Sequence, residues 1–382
     1  MKNNKTVYIT AGEESGDMLG AGVIRSLKKK QDGLSFKGIG GLKMEEEGLV
    51  SVYDSRELGF MGFFELVKHA FVIRRAIRTI FKHIIKDKPS LILMIDFSEF
   101  HIKLAKKIKR VLPETRIIKY VSPQIWASRY GRIKDIVKYY DCVCCILPFE
   151  KALYKDFPVD SRYVGNPVIS GYSLKLSFNE FCNKFGLDTE KNTISVFPGS
   201  RIQEIYNHLP VLKKFIELIT AERDDIQFVL CKSSSINGTQ VEKTFSDLPV
   251  RIIHSDHHWE ILSYSSVALC KSGTVTLQSA AAGTPSVVFY RVNPLSFMIA
   301  KRIVRTKFIS LPNIIAGKYI NPELIQNDFC PENLMREVKK LMDNEDIYDL
   351  RKKELGHVKN ILGDEIPSDR IAETVIEYLE AE

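Results

Sequence analysis

The sequence lacks several features that would place it in a familiar class. No apolar run approaches the 18 residues or so of a membrane-spanning helix, and the opening stretch MKNNKTVYITAG is too short in its apolar part for a secretory signal. The seven cysteines are odd in number and form no C-x-x-C pair, which is typical of free thiols in a reducing compartment. We therefore expect a protein that is made and kept in the cytoplasm.

A dinucleotide fingerprint is missing as well. The first glycine-rich stretch, ITAGEESGDMLGAGVI at 9–24, links a strand pattern to a helical pattern, but its glycine spacing is not G-x-G-x-x-G. Three acidic side chains, Glu13, Glu14 and Asp17, would repel a pyrophosphate. We expect this loop to bind a hydroxyl-rich substrate or to shape a cleft, although a tight turn with an acidic helix start has the same pattern.

The composition is that of an ordinary soluble globular protein. Of the 382 residues, 45% are hydrophobic and 27% are charged. This length exceeds the size at which one hydrophobic core keeps growing, so two domains are expected. The formal net charge of +8 indicates a phosphorylated ligand, an anionic membrane surface or nucleic acid, without separating these partners.

Strand and helix patterns alternate in two series. Apolar, β-branched runs occur at 5–10, 35–39, 91–96, 116–121 and 142–147, and again at 193–197, 226–231, 250–253, 266–270 and 285–290. Helical patterns lie between them, which predicts parallel sheets with helices on both faces. The Gly- and Pro-containing stretch 162–173 separates the series, so we predict an α/β protein with two Rossmann-like domains and a cleft between them.

Two turns of the second series have the character of anion sites, since each follows a strand and opens a helix. Their residues are Gly199, Ser200 and Arg201 in the first turn and Ser272, Gly273 and Thr274 in the second. Backbone N–H groups at a helix start and a guanidinium both bind phosphate. Together the turns predict a diphosphate site without a metal or a cofactor, although a capped helix start explains each turn taken alone.

A carboxylate at a strand end is the candidate base. The run SLILMIDFSEF places Asp96 at the C-terminal tip of a buried strand, where ligands of parallel sheets bind, and Glu99 and His101 are nearby alternatives. A glycosyl donor with a diphosphate leaving group fits these features, because cations would neutralise the leaving group while a carboxylate deprotonates the acceptor hydroxyl. An aspartate that only ends a turn remains the simpler interpretation.

The segment 61–86 predicts contact with an anionic membrane, because cations lie beside a second apolar row. The candidate membrane-contact residues are Phe63, Val67, Phe71, Arg74, Arg75 and Arg78. A helix buried on two sides of an α/β sandwich has a similar pattern, so that alternative stays open. The segment 297–308, FMIAKRIVRTKF, repeats the composition.

Eight ordered motifs give the chain a specific resemblance to a known family. They are AGEESGDMLGA, MGFFEL, YVSPQIWASRYGRI, ILPFE, YVGNP, FPGSRIQEI, SGTVTLQ and SLPNIIAG. In this order, from about residue 7 to about residue 330, the chain resembles the lipid-A-disaccharide synthases, which are glycosyltransferases of endotoxin synthesis. The resemblance implies a GT-B fold, in which the parallel sheets of two Rossmann-like domains face each other across a cleft.

The resemblance also implies a reaction and its partners. It implies inverting transfer from UDP-2,3-diacylglucosamine to the 6-hydroxyl of 2,3-diacylglucosamine 1-phosphate, which gives a β-1,6 disaccharide and UDP at the inner membrane surface. No nucleic acid is implied, and a homodimer is left open. The implied domains are an acceptor-binding domain with the membrane helix at 1–165, a UDP-sugar-binding domain at 166–345 and a helical tail at 346–382 that packs back on the first domain.

Residue roles are implied where the motifs match. The family's base corresponds to Asp96 and its nucleotide-contacting arginine to Arg201, and the remaining implied contacts are Gln278 for the ribose and Glu14, Ser15 and Asn313 for the substrate. The chain departs from the family where an acidic residue is usual at Gln278, and DFSEFH replaces D-x-P-D-F-N. Two other hypotheses are a UDP-sugar epimerase with the same double-Rossmann plan and a non-enzymatic basic membrane-binding module.

Overall fold

The structure, a computed structural model, describes residues 5–58, 66–233 and 239–381. The chain divides into two compact units, one formed by Met1–Ser170 with Asp364–Glu382 and the other by Gly171–Gly363. Each unit contains one parallel β-sheet with helices packed on it. The predicted α/β class with two Rossmann-like halves is therefore confirmed.

The first unit is built on a seven-stranded parallel sheet. Its strands are β1 (Lys5–Ala11), β2 (Leu34–Gly40), β3 (Leu49–Asp54), β4 (Leu91–Ile95), β5 (Arg116–Tyr120), β6 (Cys142–Cys145) and β7 (Asp160–Tyr163). Their spatial order is β3-β2-β1-β4-β5-β6-β7, so the direction of winding reverses between β1 and β4. The sequence patterns missed β3 and β7, because these edge strands are mostly half-buried and lack a continuous apolar run.

Helices cover this sheet, and the last helix of the chain is one of them. The helices are α1 (Glu14–Lys30), α2 (Leu42–Glu46), α3 (Leu66–Asp87), α4 (Ser98–Val111), α5 (Ile133–Tyr139), α6 (Pro167–Ser170) and α16 (Pro367–Glu380). Helix α16 packs on α1, where Ser26 Oγ donates to Asp369 Oδ1 at 2.6 Å. Arg162 on β7 forms a bidentate ion pair with Glu377, at 2.5 and 2.8 Å, so both ends of the chain contribute to one core.

The second unit is built on a six-stranded parallel sheet. Its strands are β8 (Asn192–Phe197), β9 (Ile226–Lys232), β10 (Val250–His254), β11 (Val267–Lys271), β12 (Ser286–Tyr290) and β13 (Glu323–Ile325). Their order is β10-β9-β8-β11-β12-β13, so this sheet reverses its winding between β8 and β11. The short strand β13 has three residues and no apolar run, and the sequence patterns did not predict it.

Nine described helices belong to the second unit. They are α7 (Phe178–Phe185), α8 (Ile202–Glu222), α9 (Thr239–Thr244), α10 (His258–Ser263), α11 (Thr274–Ala282), α12 (Pro294–Ile303), α13 (Leu311–Ala316), α14 (Pro331–Met342) and α15 (Glu345–Leu362). The residues 346–382, predicted as one tail, are thus divided between α15 in this unit and α16 in the first unit.

Candidate functional site

The acidic loop and Asp96 lie next to each other at the reversal of the first sheet. Ala11, the last residue of β1, pairs with Ile95, the last residue of β4. The loop then continues through Gly12, where an added Cβ would lie 2.3 Å from the ring of Phe97. Glycine is therefore required at this position, because any side chain would displace the residue that follows the candidate base.

The main chain of Asp96 has a conformation that is uncommon for residues other than glycine. Its φ is +49° and that of Phe97 is +44°, which places both residues in the left-handed region. The amide of Asp96 donates to the carbonyl of Tyr120 at 2.9 Å and so continues the sheet register. Among the described residues, no hydrogen bond or ion pair engages its half-buried carboxylate. The strained backbone thus presents a carboxylate that forms no hydrogen bond or ion pair with the part of the chain that the structure describes.

A buried polar cluster supports the carbonyl of Asp96. Lys119 Nζ and His101 Nδ1 both donate to this oxygen, the latter at 2.7 Å, and Thr10 Oγ1 lies 2.9 Å from His101 Nε2. Burial lowers the pKa of Lys119 to about 7, although the charge of Asp96 opposes the shift. Burial and the nearby charge of Lys119 hold the pKa of His101 well below its ordinary value.

These contacts assign the tautomer of His101 and its part in the site. A neutral imidazole has one donor and one acceptor, so Nδ1–H donates to Asp96 while Nε2 accepts from the hydroxyl of Thr10. His101 is completely buried and does not reach a ligand as a base, contrary to its inclusion among the alternatives to Asp96. Sequence reasoning missed Lys119 and Thr10; the available signal for Lys119 was a lysine within the apolar strand RIIKY.

Glu99, the other alternative to Asp96, is engaged in ion pairs. Its carboxylate lies 2.8 Å from Arg129 Nη1 and also contacts Arg132. The side chains of Glu99 and Arg129 are mostly exposed, so this cluster lies at the surface of the first unit. A carboxylate already paired with two guanidinium groups is less available to a substrate hydroxyl, which leaves Asp96 as the stronger candidate.

The acidic side chains of the glycine-rich loop have different surroundings. Glu14 and Ser15 are exposed at the start of α1, so both can be reached by a ligand. Asp17 is buried and accepts backbone hydrogen bonds from Gly41 at 2.7 Å and from two residues at 3.1 Å, Lys43 and Met44. These donors lie at the start of α2, so Asp17 caps that helix. Its carboxylate has a structural role and is not available to a ligand.

The two predicted anion turns lie side by side at the reversal of the second sheet. Phe197 at the end of β8 pairs with Cys270 on β11, so the chain leaves both strands at the same edge. Gly199 has a φ of +113° and Gly273 one of +159°, conformations that favour glycine. Helices α8 and α11 begin directly after these turns, so N–H groups of their first turns, which have no partner four residues earlier within the helix, lie at that edge.

A charge cluster joins the two turns. Glu204 on α8 lies 3.1 Å from Arg201 Nη1 and 2.9 Å from Lys271 Nζ, and Lys271 also lies over the ring of Tyr290. Burial alone would raise the pKa of Glu204, but the hydrogen bond and charge of Lys271, followed by those of Arg201, lower it. The side chain of Arg201 is 76% exposed, so most of its guanidinium remains accessible to an anion.

His208 is a residue of this edge that sequence reasoning missed. Its Nδ1 lies 2.9 Å from the carbonyl of Pro198, and the amide of Arg291 donates to its Nε2 at 3.2 Å. Burial lowers the pKa of His208, so the ring is neutral near pH 7. It therefore ties the first anion turn to the loop after β12; the histidine seven residues after Arg201 on a helix pattern was the only signal.

The second turn and α11 contain the other predicted nucleotide contacts. Ser272 Oγ donates to the carbonyl of Ile309 at 2.8 Å, so this side chain supports the turn. Thr274 is exposed at the first position of α11, and Gln278 is half-buried one turn later. Thr274 and Gln278 are thus the members of this group whose side chains a nucleotide can reach.

Asn313 has a structural environment. It is completely buried; its Nδ2 donates to Asn321 O and Glu323 Oε1, both at 2.9 Å, and its Oδ1 accepts from the amides of Ile320 and Asn321. Glu323 in turn accepts from the amides of residues 309 and 310. The two donor and two acceptor positions of the amide group all have protein partners. The structure gives no further evidence for the predicted contact of Asn313 with substrate, which stays a prediction.

Helix α3 presents part of the predicted membrane-contact surface. Phe71 is 71% exposed and Arg74, Arg75 and Arg78 are exposed, while Ala76, Ile80 and Ile84 on the other face are buried. Phe63 and the side chain of Val67 lie outside the described residues. None of the described helices has the length and apolar character needed to cross a bilayer. Within the same ranges, no group of three His, Cys, Asp or Glu side chains is suited to a metal ion.

Comparisons of the sequence identify one family. The model of the lipid-A-disaccharide synthetase family matches residues 7–370. A lipid-A-disaccharide synthase of Trichlorobacter lovleyi is 34% identical over 378 residues, which cover 98% of each chain. One of Coxiella burnetii is 35% identical over 357 residues, which cover 94% of each chain.

Comparisons of the structure extend the likeness of fold more widely. A UDP-GlcNAc 2-epimerase from Neisseria meningitidis, bound to UDP-GlcNAc, has a TM-score of 0.64 at 14% identity, with 99% of each chain covered. A calicheamicin glycosyltransferase has a TM-score of 0.61 at 13% identity, with 100% of this chain and 99% of that chain covered. At such identities these structures share the fold alone, which is the two-Rossmann plan of GT-B glycosyltransferases and related epimerases.

Proposed function

The chain belongs to the lipid-A-disaccharide synthase family and is therefore a glycosyltransferase of lipid A biosynthesis, and from this premise we propose its substrates and mechanism. The proposed donor is UDP-2,3-diacylglucosamine and the proposed acceptor is 2,3-diacylglucosamine 1-phosphate. The acceptor's 6-hydroxyl displaces UDP from the anomeric carbon with inversion, which forms the β-1,6 disaccharide. The reaction takes place in the cytoplasm at the inner membrane surface.

The observation that carries the proposal is the setting of Asp96. Its carbonyl and amide are held by hydrogen bonds, its backbone is left-handed, and its carboxylate has no hydrogen-bond or ion-pair partner within the described ranges. A general base needs a backbone held in a fixed position and a carboxylate that is not engaged in other hydrogen bonds or ion pairs. In the proposed step Asp96 accepts the proton of the 6-hydroxyl as the new C–O bond forms, while the electron pair of the breaking glycosidic bond leaves with UDP.

The second unit supplies the groups for the leaving diphosphate. Arg201 is exposed and lies at the start of α8, and the helix start at Thr274 adds N–H groups from the neighbouring turn. These donors neutralise charge that develops on UDP during bond breaking. Backbone groups of the turns, at Gly199, Ser200 and Gly273, complete the proposed nucleotide site. Ser272, whose N–H and hydroxyl donate to the carbonyls of Phe289 and Ile309, holds the second turn in place. Gln278 is the proposed ribose contact and acts without the charge of the family's usual acidic residue.

The acceptor and the membrane are the remaining proposed partners. Glu14 and Ser15 are exposed just after Gly12, and they are the proposed acceptor contacts. Asn313 is a separate proposed substrate contact, whose amide would first have to exchange a protein partner. On α3, exposed Phe71 and the three arginines Arg74, Arg75 and Arg78 form the proposed membrane-contact surface, since acylated substrates lie in a bilayer.

The two alternative hypotheses are not retained. A UDP-sugar epimerase shares the fold, but the likeness to solved epimerases stays at 14 to 15% identity, whereas the curated synthases reach 34 to 35%. A non-enzymatic basic module is not supported, because the chain aligns with enzymes over 94 to 98% of their length.

The proposed function is tested by supplying both acylated sugars to the purified protein and following UDP and the disaccharide by mass spectrometry. Asp96→Asn should lower turnover by roughly 100-fold or more and leave UDP affinity unchanged, because the amide cannot accept the proton. Arg201→Ala should weaken UDP binding. Unchanged turnover in Asp96→Asn removes this residue from the mechanism, and absence of disaccharide with the unmodified protein refutes the proposed reaction.

A further inference from the structure

Helix α12 has an unusual number of exposed apolar side chains. No residue of this helix is buried. The exposed fractions are 62% for Leu295, 50% for Met298, 52% for Ile299, 46% for Ile303 and 43% for Val304. Single exposed apolar residues are common in soluble proteins, but so many within ten residues form a patch, and patches of this kind mark interaction surfaces.

The spacing of these residues places most of them on one face of the helix. Leu295, Met298, Ile299 and Ile303 lie at i, i+3, i+4 and i+8, which is a single helical stripe. Phe297 and Ala300, the half-buried residues of α12, lie on the opposite face. The apolar stripe, which we call the α12 stripe, is therefore the more exposed face of this helix.

The sequence around the α12 stripe carries charge of one sign. The stretch 291–322 contains no aspartate or glutamate. Lys301 lies on the flank of the stripe and Arg302 lies within it, and both are exposed. Arg305 and Lys307 follow directly. Long basic side chains among apolar residues bury their methylene stems at a lipid surface while the charged heads reach anionic headgroups.

We propose that the α12 stripe docks on the surface of an anionic phospholipid bilayer. An exposed apolar stripe within a stretch of sequence that has basic but no acidic residues matches that partner in both hydrophobicity and charge. The proposal deepens the proposed function, because α12 follows β12 and leaves the sheet edge where both anion turns lie, and His208 bonds that loop to Pro198. Docking there brings the proposed nucleotide site to the surface that holds an acylated donor.

The test is sedimentation of the full chain with vesicles of phosphatidylcholine, with and without phosphatidylglycerol. Met298→Ser/Ile299→Ser should weaken binding to the mixed vesicles by about tenfold or more, since both side chains lose their apolar contact. Arg302→Gln should weaken binding to mixed vesicles about fivefold and leave binding to neutral vesicles unchanged. The matched control is Leu350→Ser on α15, where a leucine is 51% exposed outside the stripe and binding should not change.

UDP affinity is measured in every variant and should equal that of the unmodified protein, which shows that the second unit is folded. Equal vesicle binding by the double variant and the unmodified chain overturns the proposal. So does a change from dimer to monomer by light scattering without any change in vesicle binding, because the stripe is then a contact between two copies. Disaccharide formation from detergent-dispersed substrates distinguishes the docking proposal from the proposed function. If only the docking proposal is wrong, the unmodified protein still forms the disaccharide. If the proposed function is wrong, the unmodified protein forms none.

Discussion

Replacing Lys119 by methionine tests the cost of the buried cluster beneath Asp96. The ammonium group is completely buried, and its pKa lies at about 7, compared with 10.5 for an exposed lysine. Between these values the unfolded chain binds a proton that the folded chain has released. Stability therefore rises with pH through this window by up to about 1.4 kcal/mol per pH unit, and it is independent of this group below pH 7 and above 10.5.

The magnitude at neutral pH follows from the same two values. At pH 7 the buried ammonium costs about 4 kcal/mol relative to a lysine whose pKa did not change on folding. Methionine has a similar length and no charge, and it loses one hydrogen bond to the Asp96 carbonyl, worth about 1 kcal/mol. His101 still donates to that carbonyl. We expect Lys119→Met to be more stable by about 2–3 kcal/mol at pH 7, and to lose turnover because Asp96 is less firmly held.

The assay is urea denaturation at pH 7, 8 and 9, followed by the fluorescence of Trp126. Because the other tryptophan, Trp259, lies in the second unit, a Trp259→Phe background restricts the signal to the first unit. Relative to Lys119→Met, the parent protein, which retains Lys119, should gain free energy of unfolding as the pH rises; the buried thiols, whose raised pKa values lower stability near pH 9, are common to both proteins and cancel in this difference.

The control is Lys106→Met, which removes an exposed lysine of α4 and should keep the slope of the parent protein. Two results would refute the reasoning. One is a free energy of unfolding that rises with pH as steeply in Lys119→Met as in the parent protein. The other is lower stability of Lys119→Met at pH 7, which would mean that the hydrogen bonds of the ammonium outweigh its burial cost.

Two further predictions concern Gly12 and Asn313. Gly12→Ala should lower turnover at least about tenfold with UDP affinity retained, because the new Cβ displaces Phe97 and with it Asp96. Gly131→Ala is the control and should have no effect, because a Cβ added at Gly131 would have none of the described atoms within 4 Å. Equal turnover of the two variants would contradict the contact between residue 12 and Phe97. Asn313→Ala should lower the free energy of unfolding by about 3 kcal/mol or more in urea titrations, since it leaves several buried groups unpaired, and a loss below about 1 kcal/mol would contradict this role.

Local patterns were enough to predict the elements of each unit that have continuous apolar character. Strands that are buried on both faces consist mostly of consecutive apolar residues, and this pattern was recognised around Ile9, Leu93, Ile118, Val196 and Leu269. Strands β3, β7 and β13 were missed because partly exposed edge strands have no such run. The turns at Gly199 and Gly273 were also recognised, since glycine before a helix start is a local signal.

The roles of individual polar residues could not be predicted in the same way. Asp17 caps a helix that begins only at Leu42, and His101 on α4 contacts Lys119 on β5. Asn313 has its partners on the following loop, where Ile320 and Asn321 donate to it. A motif identifies such residues as important, but it does not distinguish a side chain that binds a ligand from one that satisfies buried backbone groups.

The sequence by itself determined the α/β class, the two series of parallel strands, the family and the candidate residues Asp96 and Arg201. These properties depend on periodicity and motifs, which are read within a few residues of each other. Only the tertiary structure decided the order of the strands. That order places Gly12 beside Phe97, brings the two anion turns together and directs the α12 stripe outward, because burial and strand pairing join residues that are far apart along the chain.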